Sequence, residues 1–301
     1  MKRKDLLGLY ELSAEEICSL VEEGAKFKAQ LKNGVKQFDL LGGMSAVTLF
    51  YENSTRTRCS FDLAAKNLGA NVINLDVSAS SVQKGETLLD TGRTLDMQQN
   101  DFIIIRHPAA GAPKLVANNV KAHVINAGDG MNEHPTQALL DFLTMQECFG
   151  KIEGLTVAII GDILHSRVAK SNLYGLKKLG AKVKLYAPRT LMPAGIERLG
   201  AEVCTSREQA LEGADVVMGL RIQLERQRSG NFPSLGEYAK YYGVNDELLK
   251  LAKPNAIVMH PAPVNRGVEL TSSVIDGKQS RIEEQVFSGL AVRMAVFKEL
   301  L

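Results

Sequence analysis

The residues of this chain best placed for chemistry are arginines that stand at the ends of short apolar runs. Ala46–Tyr51 reads as a strand, and Ser54-Thr55-Arg56-Thr57-Arg58 follows it after a polar turn. A helix is predicted from Ser54 or Thr55 through Phe61, Ala64, Ala65 and Leu68, with Gly69 as its stop. Serine or threonine at the N-cap would satisfy part of the unpaired backbone N–H set. The remaining N–H groups point outward with the positive end of the helix dipole and make an anion site. First helical turns normally favour acids, yet this one carries Arg56, with Thr57 beside it. A cation there is locally unfavourable until an anion arrives. The bland alternative is a solvated helix start with incidental arginines. The chain has no Walker A sequence, so a nucleotide P-loop does not explain the segment.

A second run, Ile103-Ile104-Ile105, ends in Arg106-His107-Pro108. In open parallel sheets, ligands bind beyond the carboxyl ends of the strands, which is where Arg56 and Arg106 both fall. Two such cations about 6 Å apart repel by roughly 3 kcal/mol at an effective dielectric of 20, and a bound phosphate reverses that sign. Further on, Pro135 suits the first position of a helix, which puts His134 at the N-cap and Gln137 one turn in. A histidine at a positive dipole end is favoured as neutral imidazole, and it can then donate to a carbonyl oxygen that is gaining charge. The other histidines (His107, His123, His165 and His260) have no HxxxH or HxH spacing, which argues against zinc.

In the second half, the strand Thr156–Gly161 leads through Asp162 and His165 to Arg167 at the start of a helix. It resembles the opening of a dinucleotide-binding unit but lacks G-x-G-x-x-G, so the close backbone approach to a pyrophosphate is missing. Arg221 and Gln223 likewise follow a strand. Arginine forks suit carboxylates, and two of them suit a dicarboxylic ligand. Ser80–Glu86 is a polar loop that carries Lys84. Alone, that lysine reads as solvated.

Eight candidate strands must position these groups: Ala46–Tyr51, Asn71–Leu75, Phe102–Arg106, Ala122–Asn126, Thr156–Gly161, Lys182–Tyr186, Asp215–Gly219 and Ala256–His260. Amphipathic helical spacing fills most of the intervals, which predicts βαβ units and parallel sheets. A helix from Pro135 to Phe149 with Gly150 as its stop divides the strands into two sets, and the chain closes on a helix from about Ser280. Leu224–Tyr242, with Gly230, Pro233 and Gly236, reads as a long mobile loop.

The 301 residues suffice for about two domains. A net charge of +2, from 36 basic and 34 acidic residues, offers no global field for nucleic acid or a membrane. Cys18, Cys59, Cys148 and Cys204 lie far apart without CxxC spacing, which predicts reduced, mostly structural thiols. The basic start Met1–Asp5 is not followed by an apolar stretch of signal-peptide length, and no apolar run is long enough to span a bilayer. A soluble, cytoplasmic protein is expected.

Ser54-Thr55-Arg56-Thr57-Arg58, Arg106-His107-Pro108, His134-Pro135-Thr136-Gln137 and Met259-His260-Pro261-Ala262-Pro263-Val264-Asn265-Arg266-Gly267 together resemble the aspartate/ornithine carbamoyltransferases. The last motif looks like the aspartate branch, since the ornithine branch would show HCLP and an SMG-type loop. The resemblance spans nearly the whole chain. It implies an α/β fold of two doubly wound parallel-sheet domains linked by long helices, with the C-terminal helix returning to the first domain. Residues 1–134, completed by about 283–301, would bind carbamoyl phosphate, 135–150 would link, and 151–282 would bind aspartate. The implied reaction moves the carbamoyl group of carbamoyl phosphate to the amine of L-aspartate. It gives N-carbamoyl-L-aspartate and phosphate, an early step of de novo pyrimidine biosynthesis.

By the same resemblance, Ser54, Thr55, Arg56 and Thr57 would hold carbamoyl phosphate, with Arg106, His134 and Gln137 near its carbonyl end. Catalysis would fall to Arg56, Thr57, Arg106 and His134. Arg167, Arg221 and Gln223 would hold L-aspartate, with backbone contacts from Ala262 and Pro263. Ser80 and Lys84 would come from a neighbouring subunit, so a homotrimer is implied. Regulatory chains or a dihydroorotase-type enzyme are the further partners it suggests. Neither a metal nor a cofactor is called for. Glu133 stands where the resemblance leads one to expect glutamine. A carbamoyltransferase with another acceptor, a nucleotide-dependent oxidoreductase on the same sheets, and a non-catalytic member are the competing readings.

Overall fold

The eight apolar runs all become strands, and they divide between two sheets. The structure is a computed structural model that describes residues 3–76, 85–223 and 234–301. The first sheet contains β1 (Ser45–Phe50), β2 (Asn71–Asp76), β3 (Phe102–His107) and β4 (His123–Asp129), in the order β2-β1-β3-β4. The second contains β5 (Thr156–Ile160), β6 (Lys182–Tyr186), β7 (Glu202–Val203), β8 (Val216–Gly219) and β9 (Ile257–Met259), in the order β7-β6-β5-β8-β9. Every pairing within them is parallel. Two residues with both side chains exposed make up β7, which is why no apolar run announced it.

The helices are α1 (Ala14–Lys32), α2 (Thr55–Asn67), α3 (Leu88–Met97), α4 (Ala112–Ala117), α5 (Pro135–Phe149), α6 (Arg167–Lys178), α7 (Arg207–Leu211), α8 (Leu235–Tyr242), α9 (Asp246–Leu249), α10 (Ser272–Ile275) and α11 (Ile282–Leu300). Two compact units result, one of Met1–Leu143 with Phe287–Leu301 and the other of Thr144–Val286. The chain therefore passes between them inside α5 and again inside α11.

In the first unit, Val47, Leu49, Ile103, Ile105 and Val124 pack with Leu95 of α3 and Val116 of α4 on one face of the sheet. Phe102, next in alternation, meets Phe297 of α11 edge-on at 5.1 Å, and Phe297 in turn meets Phe61 of α2 at 6.1 Å. Apolar layers on both faces explain why these strands read as continuous apolar runs rather than alternating ones. In the second unit, Ala158, Ile160, Val217 and Val258 pack with Leu211, Leu249 and Val274 from α7, α9 and α10. Gly161 closes β5 at φ +137°, where a Cβ would stand 2.7 Å from the Leu220 carbonyl oxygen. That glycine permits the close approach of the segments leaving β5 and β8.

Two local expectations need revision. Over 235–242 the expected loop is the helix α8. The Ser234 hydroxyl caps it by accepting the Glu237 N–H at 3.1 Å, and Tyr238 is buried against Tyr242 at 5.4 Å between rings. Residues 224–233 of that segment lie outside the described residues. The thiols are free, as expected, but Cys18, Cys59 and Cys148 are exposed and only Cys204 is buried, its pKa pushed up by burial to about 11. Helix α1 was not anticipated, although its capping box is visible in Ser13 and Glu16, whose side chains each accept the other's backbone N–H.

Candidate active site

In the first unit the chain leaves β1, runs out to β2 on one side, and returns to place β3 on the other. The strand order reverses between β1 and β3, where α/β sheets form ligand crevices. Arg56 and Thr57 follow β1, and Arg106 ends β3. Ser54 is the N-cap of α2, but its hydroxyl makes no capping hydrogen bond, unlike those of Ser13, Thr87, Ser166, Ser206 and Ser234. No acidic residue stands in the first turn. The expected cap therefore does not form, and the Ser54 hydroxyl is not engaged with the first-turn amides of its own helix.

Arg106 sits where the β3–β4 ladder shifts register between Ile105 and His107, an irregularity that re-aims a side chain. Its Nη1 lies 3.5 Å from the Thr57 hydroxyl and 3.4 Å from the Ala127 carbonyl oxygen, and its Nε lies 3.3 Å from the Glu52 carboxylate. Thr57 is buried and Arg56 is exposed. His134 precedes α5 as expected, and its carbonyl accepts the N–H groups of Gln137 and Ala138 at 3.0 and 3.3 Å. Both His134 and Gln137 are buried, and the Gln137 amide donates to Asp141 at 3.0 Å.

Behind α2, Arg293 of α11 is almost fully buried and donates to the Ser60 hydroxyl at 2.9 Å, with its guanidinium 5.0 Å from the Phe61 ring. Burial lowers its pKa to about 10, so it stays charged at neutral pH. It anchors the helix from the rear.

The second unit repeats the arrangement. Its strand order reverses between β5 and β8, Arg167 opens α6 after β5, and Arg221 and Gln223 follow β8. Ser166 caps α6 by accepting the Ala169 N–H at 3.1 Å. Asp162 is fully buried and accepts from the His165 backbone at 3.1 Å, from the His165 ring Nδ1 at 2.8 Å and from the Gln223 backbone at 3.4 Å. The Gln223 side-chain amide donates to the His165 carbonyl at 3.1 Å. Gln223 and the Arg167 turn are thereby tied together.

A second buried carboxylate, Glu269, accepts the Ile222 N–H at 3.0 Å and the Asn265 N–H at 2.8 Å, with the Asn265 amide at 2.7 Å. Its pKa is raised, chiefly by burial, against those hydrogen bonds. The segment after β9 joins the same scaffold. The His260 ring Nδ1 accepts the Ala262 N–H at 2.9 Å, and Ala262 stands at φ +51° before a cis bond to Pro263. Ser80 and Lys84 lie outside the described residues. Among those described, no group of acids, histidines and cysteines is arranged to hold a metal ion, and no helix is long and apolar enough to cross a membrane.

Family models for the carbamoyl-phosphate-binding and the Asp/Orn-binding domains of aspartate/ornithine carbamoyltransferases match residues 4–147 and 153–300. The chain belongs to the aspartate/ornithine carbamoyltransferase family. It is 59% identical over 296 residues to the aspartate carbamoyltransferase catalytic subunit of Ruminiclostridium cellulolyticum, covering 98% of this chain and 95% of that one. Its fold is similar to aspartate transcarbamoylase from Trypanosoma cruzi in complex with carbamoyl phosphate and aspartate. There the TM-score is 0.91 at 34% identity, over 100% of this chain and 97% of the other. Ornithine carbamoyltransferase from Pyrococcus furiosus also aligns, with a TM-score of 0.87 at 32% identity over 97% and 95% of the two chains. The carbamoyltransferase fold is thus shared by both acceptor branches, and the choice of acceptor has to be read from side chains.

Four carboxylates in this carbamoyltransferase went unread in the sequence. Glu52 pairs with Arg106, Asp162 and Glu269 hold the segments that carry Arg167, Arg221 and Gln223, and Asp129 accepts the Glu133 N–H at 3.0 Å in the loop before His134. Glu52, Asp129 and Asp162 stand at or just beyond strand ends, but Glu52, Asp162 and Glu269 reach partners far away in sequence, which no local pattern reveals.

Proposed function

We propose that this chain transfers the carbamoyl group of carbamoyl phosphate to the amine of L-aspartate. The observation that carries the reading is the approach of Arg106 to Thr57 beside the uncapped mouth of α2. Ser54, Thr55, Arg56 and Thr57 bind the phosphate, whose charge complements the helix dipole and the guanidinium. Thr57, Arg106 and His134 donate to the carbonyl oxygen, and Gln137 supports the carbamoyl group. Arg167, Arg221 and Gln223 bind the two carboxylates of L-aspartate, aided by the backbone at Ala262 and Pro263.

The neutral α-amine attacks the carbonyl carbon and a C–N bond forms. Charge collects on the oxygen of the tetrahedral intermediate, where the preorganised donors stabilise it. The C–O bond to phosphate then breaks, and the amine proton leaves with the phosphate. Positioning and electrostatics supply the rate gain. The aspartate acceptor rests on Arg167, Arg221, Gln223 and the His260-Pro261-Ala262-Pro263 sequence, together with the high identity to relatives named for aspartate.

The working enzyme in this reading is a cytoplasmic homotrimer in which Ser80 and Lys84 complete a neighbour's site, and its product enters pyrimidine biosynthesis. Calorimetric titration with carbamoyl phosphate tests the first half. Tight binding to the wild type that is lost in Arg56→Ala supports it, and equal binding by both overturns it. Co-expressing Lys84→Ala with Arg56→Ala tests the shared site, since mixed trimers would regain activity that neither variant has alone.

A further inference from the structure

The N-terminal segment runs beside β4 and is fastened to it along its length. The Lys4 ammonium donates to the carbonyls of Ala117 and Val120, and the Asp5 carboxylate accepts the Val124 N–H at 2.7 Å. Leu6 donates to Val124 at 3.0 Å and accepts from Asn126 at 2.9 Å, and the Asn126 side chain donates to the Leu7 carbonyl at 2.8 Å. The segment thus caps the edge of the sheet that an exposed β4 would otherwise leave open. Its last tie is to Glu133. One carboxylate oxygen accepts the Leu9 N–H at 2.7 Å and the other accepts the Tyr10 N–H at 3.2 Å.

Glu133 is buried, and it immediately precedes His134. Its own backbone is closed into a loop with Asp129, which accepts the Glu133 N–H on its carboxylate and donates its N–H to the Glu133 carbonyl at 3.2 Å. Gly8 lies flat against the carboxylate, and a Cβ there would fall 2.2 Å from Oε1. The peptide that presents His134 is therefore held from two sides, by Asp129 within its own loop and by the N-terminal segment through Glu133.

We propose that Glu133 is a positioning residue for His134, acting through its grip on the Leu9 and Tyr10 amides. The inference rests on the role given to His134 above. It also gives a reason for an acid at this position: two oxygens match two consecutive N–H donors. What matters is where the carboxylate holds the loop, not its charge. Because small displacements of a catalytic donor cost much of the rate, the grip is felt in turnover rather than in acceptor binding.

Glu133→Ala is expected to lower kcat about tenfold, with the KM for L-aspartate moving less than about twofold. Combined with His134→Ala, the same change is expected to cost less than about twofold, since it acts through a group already removed. Glu133→Gln keeps one oxygen as an acceptor but turns an amide NH2 toward the other N–H donor, so it is expected to fall between the wild type and Glu133→Ala. Gly8→Ala, which pushes on the carboxylate from the other side, is expected to act like Glu133→Ala. Equal losses with and without His134 would overturn the proposal, as would a Gln variant as damaged as the Ala variant. His134→Ala with wild-type kcat would instead strike the role assigned to His134 itself.

Discussion

Nη1 of Arg106, at the end of β3, lies 3.5 Å from the Thr57 hydroxyl in the first turn of α2. The two groups reach this distance from adjacent parallel strands, β3 and β1, and the Glu52 carboxylate balances the guanidinium at 3.3 Å. In the proposed mechanism the guanidinium donates to developing charge, and its removal deletes that donor. Arg106→Ala is expected to lower kcat/KM by a factor of about 10² to 10³. Arg106→Lys should recover little, because an ammonium cannot reproduce the fork. Steady-state kinetics beside a denaturation curve checks this, and a variant within threefold of wild type would refute the role.

His165 ties the Arg167 turn to Gln223 through Asp162. Its loss should loosen the acceptor side alone. His165→Ala is expected to raise the KM for L-aspartate about tenfold while carbamoyl phosphate binding stays as it was. Weakening of both ligands to the same degree would assign His165 a general structural task instead.

Glu269 satisfies the backbone amides of Ile222 and Asn265 from a buried position. Glu269→Ala leaves both donors unmatched, with an expected loss of roughly 2–6 kcal/mol of stability at about 1–3 kcal/mol for each unpaired group. Urea denaturation reads the difference directly, and a change below about 0.5 kcal/mol would mean that other groups satisfy these donors.

Burial lowers the pKa of His107, whose ring stacks edge-on with Tyr51 at 4.7 Å and accepts the Ala109 N–H at 2.9 Å. The folded state thus binds this proton more weakly than the unfolded chain, whose histidine pKa is about 6.5. The contribution to stability is complete above that value and is lost as pH falls through it toward the lowered folded value. His107→Asn keeps an acceptor for Ala109 without the titration. Its melting temperature should fall less steeply than that of the wild type below pH 6.5, and parallel curves would contradict the assignment.

The strands and the strand-end arginines were legible because a buried parallel strand must be apolar throughout, and because a cation at its carboxyl end interrupts that run conspicuously. Arg106 announced itself in this way, and Arg56, Arg167 and Arg221 by following a strand after a short turn. Less legible was what fixes them. Asp162 reaches Gln223 across 61 positions, and Glu133 reaches Leu9 across 124. Such ties depend on which strands become neighbours, and the order of strands in a sheet is not written into any one of them. The uncapped Ser54 was misread for a related reason: propensity predicts that a serine caps, while only the coordinates show that this one does not.

The central claim is a transfer with L-aspartate as its acceptor. Its most direct test is a colorimetric assay of ureido product from carbamoyl phosphate, with L-aspartate and L-ornithine compared at equal concentration. Turnover with L-aspartate and none above background with L-ornithine is the result this structure predicts. Preference for ornithine, or no turnover with either, would contradict it.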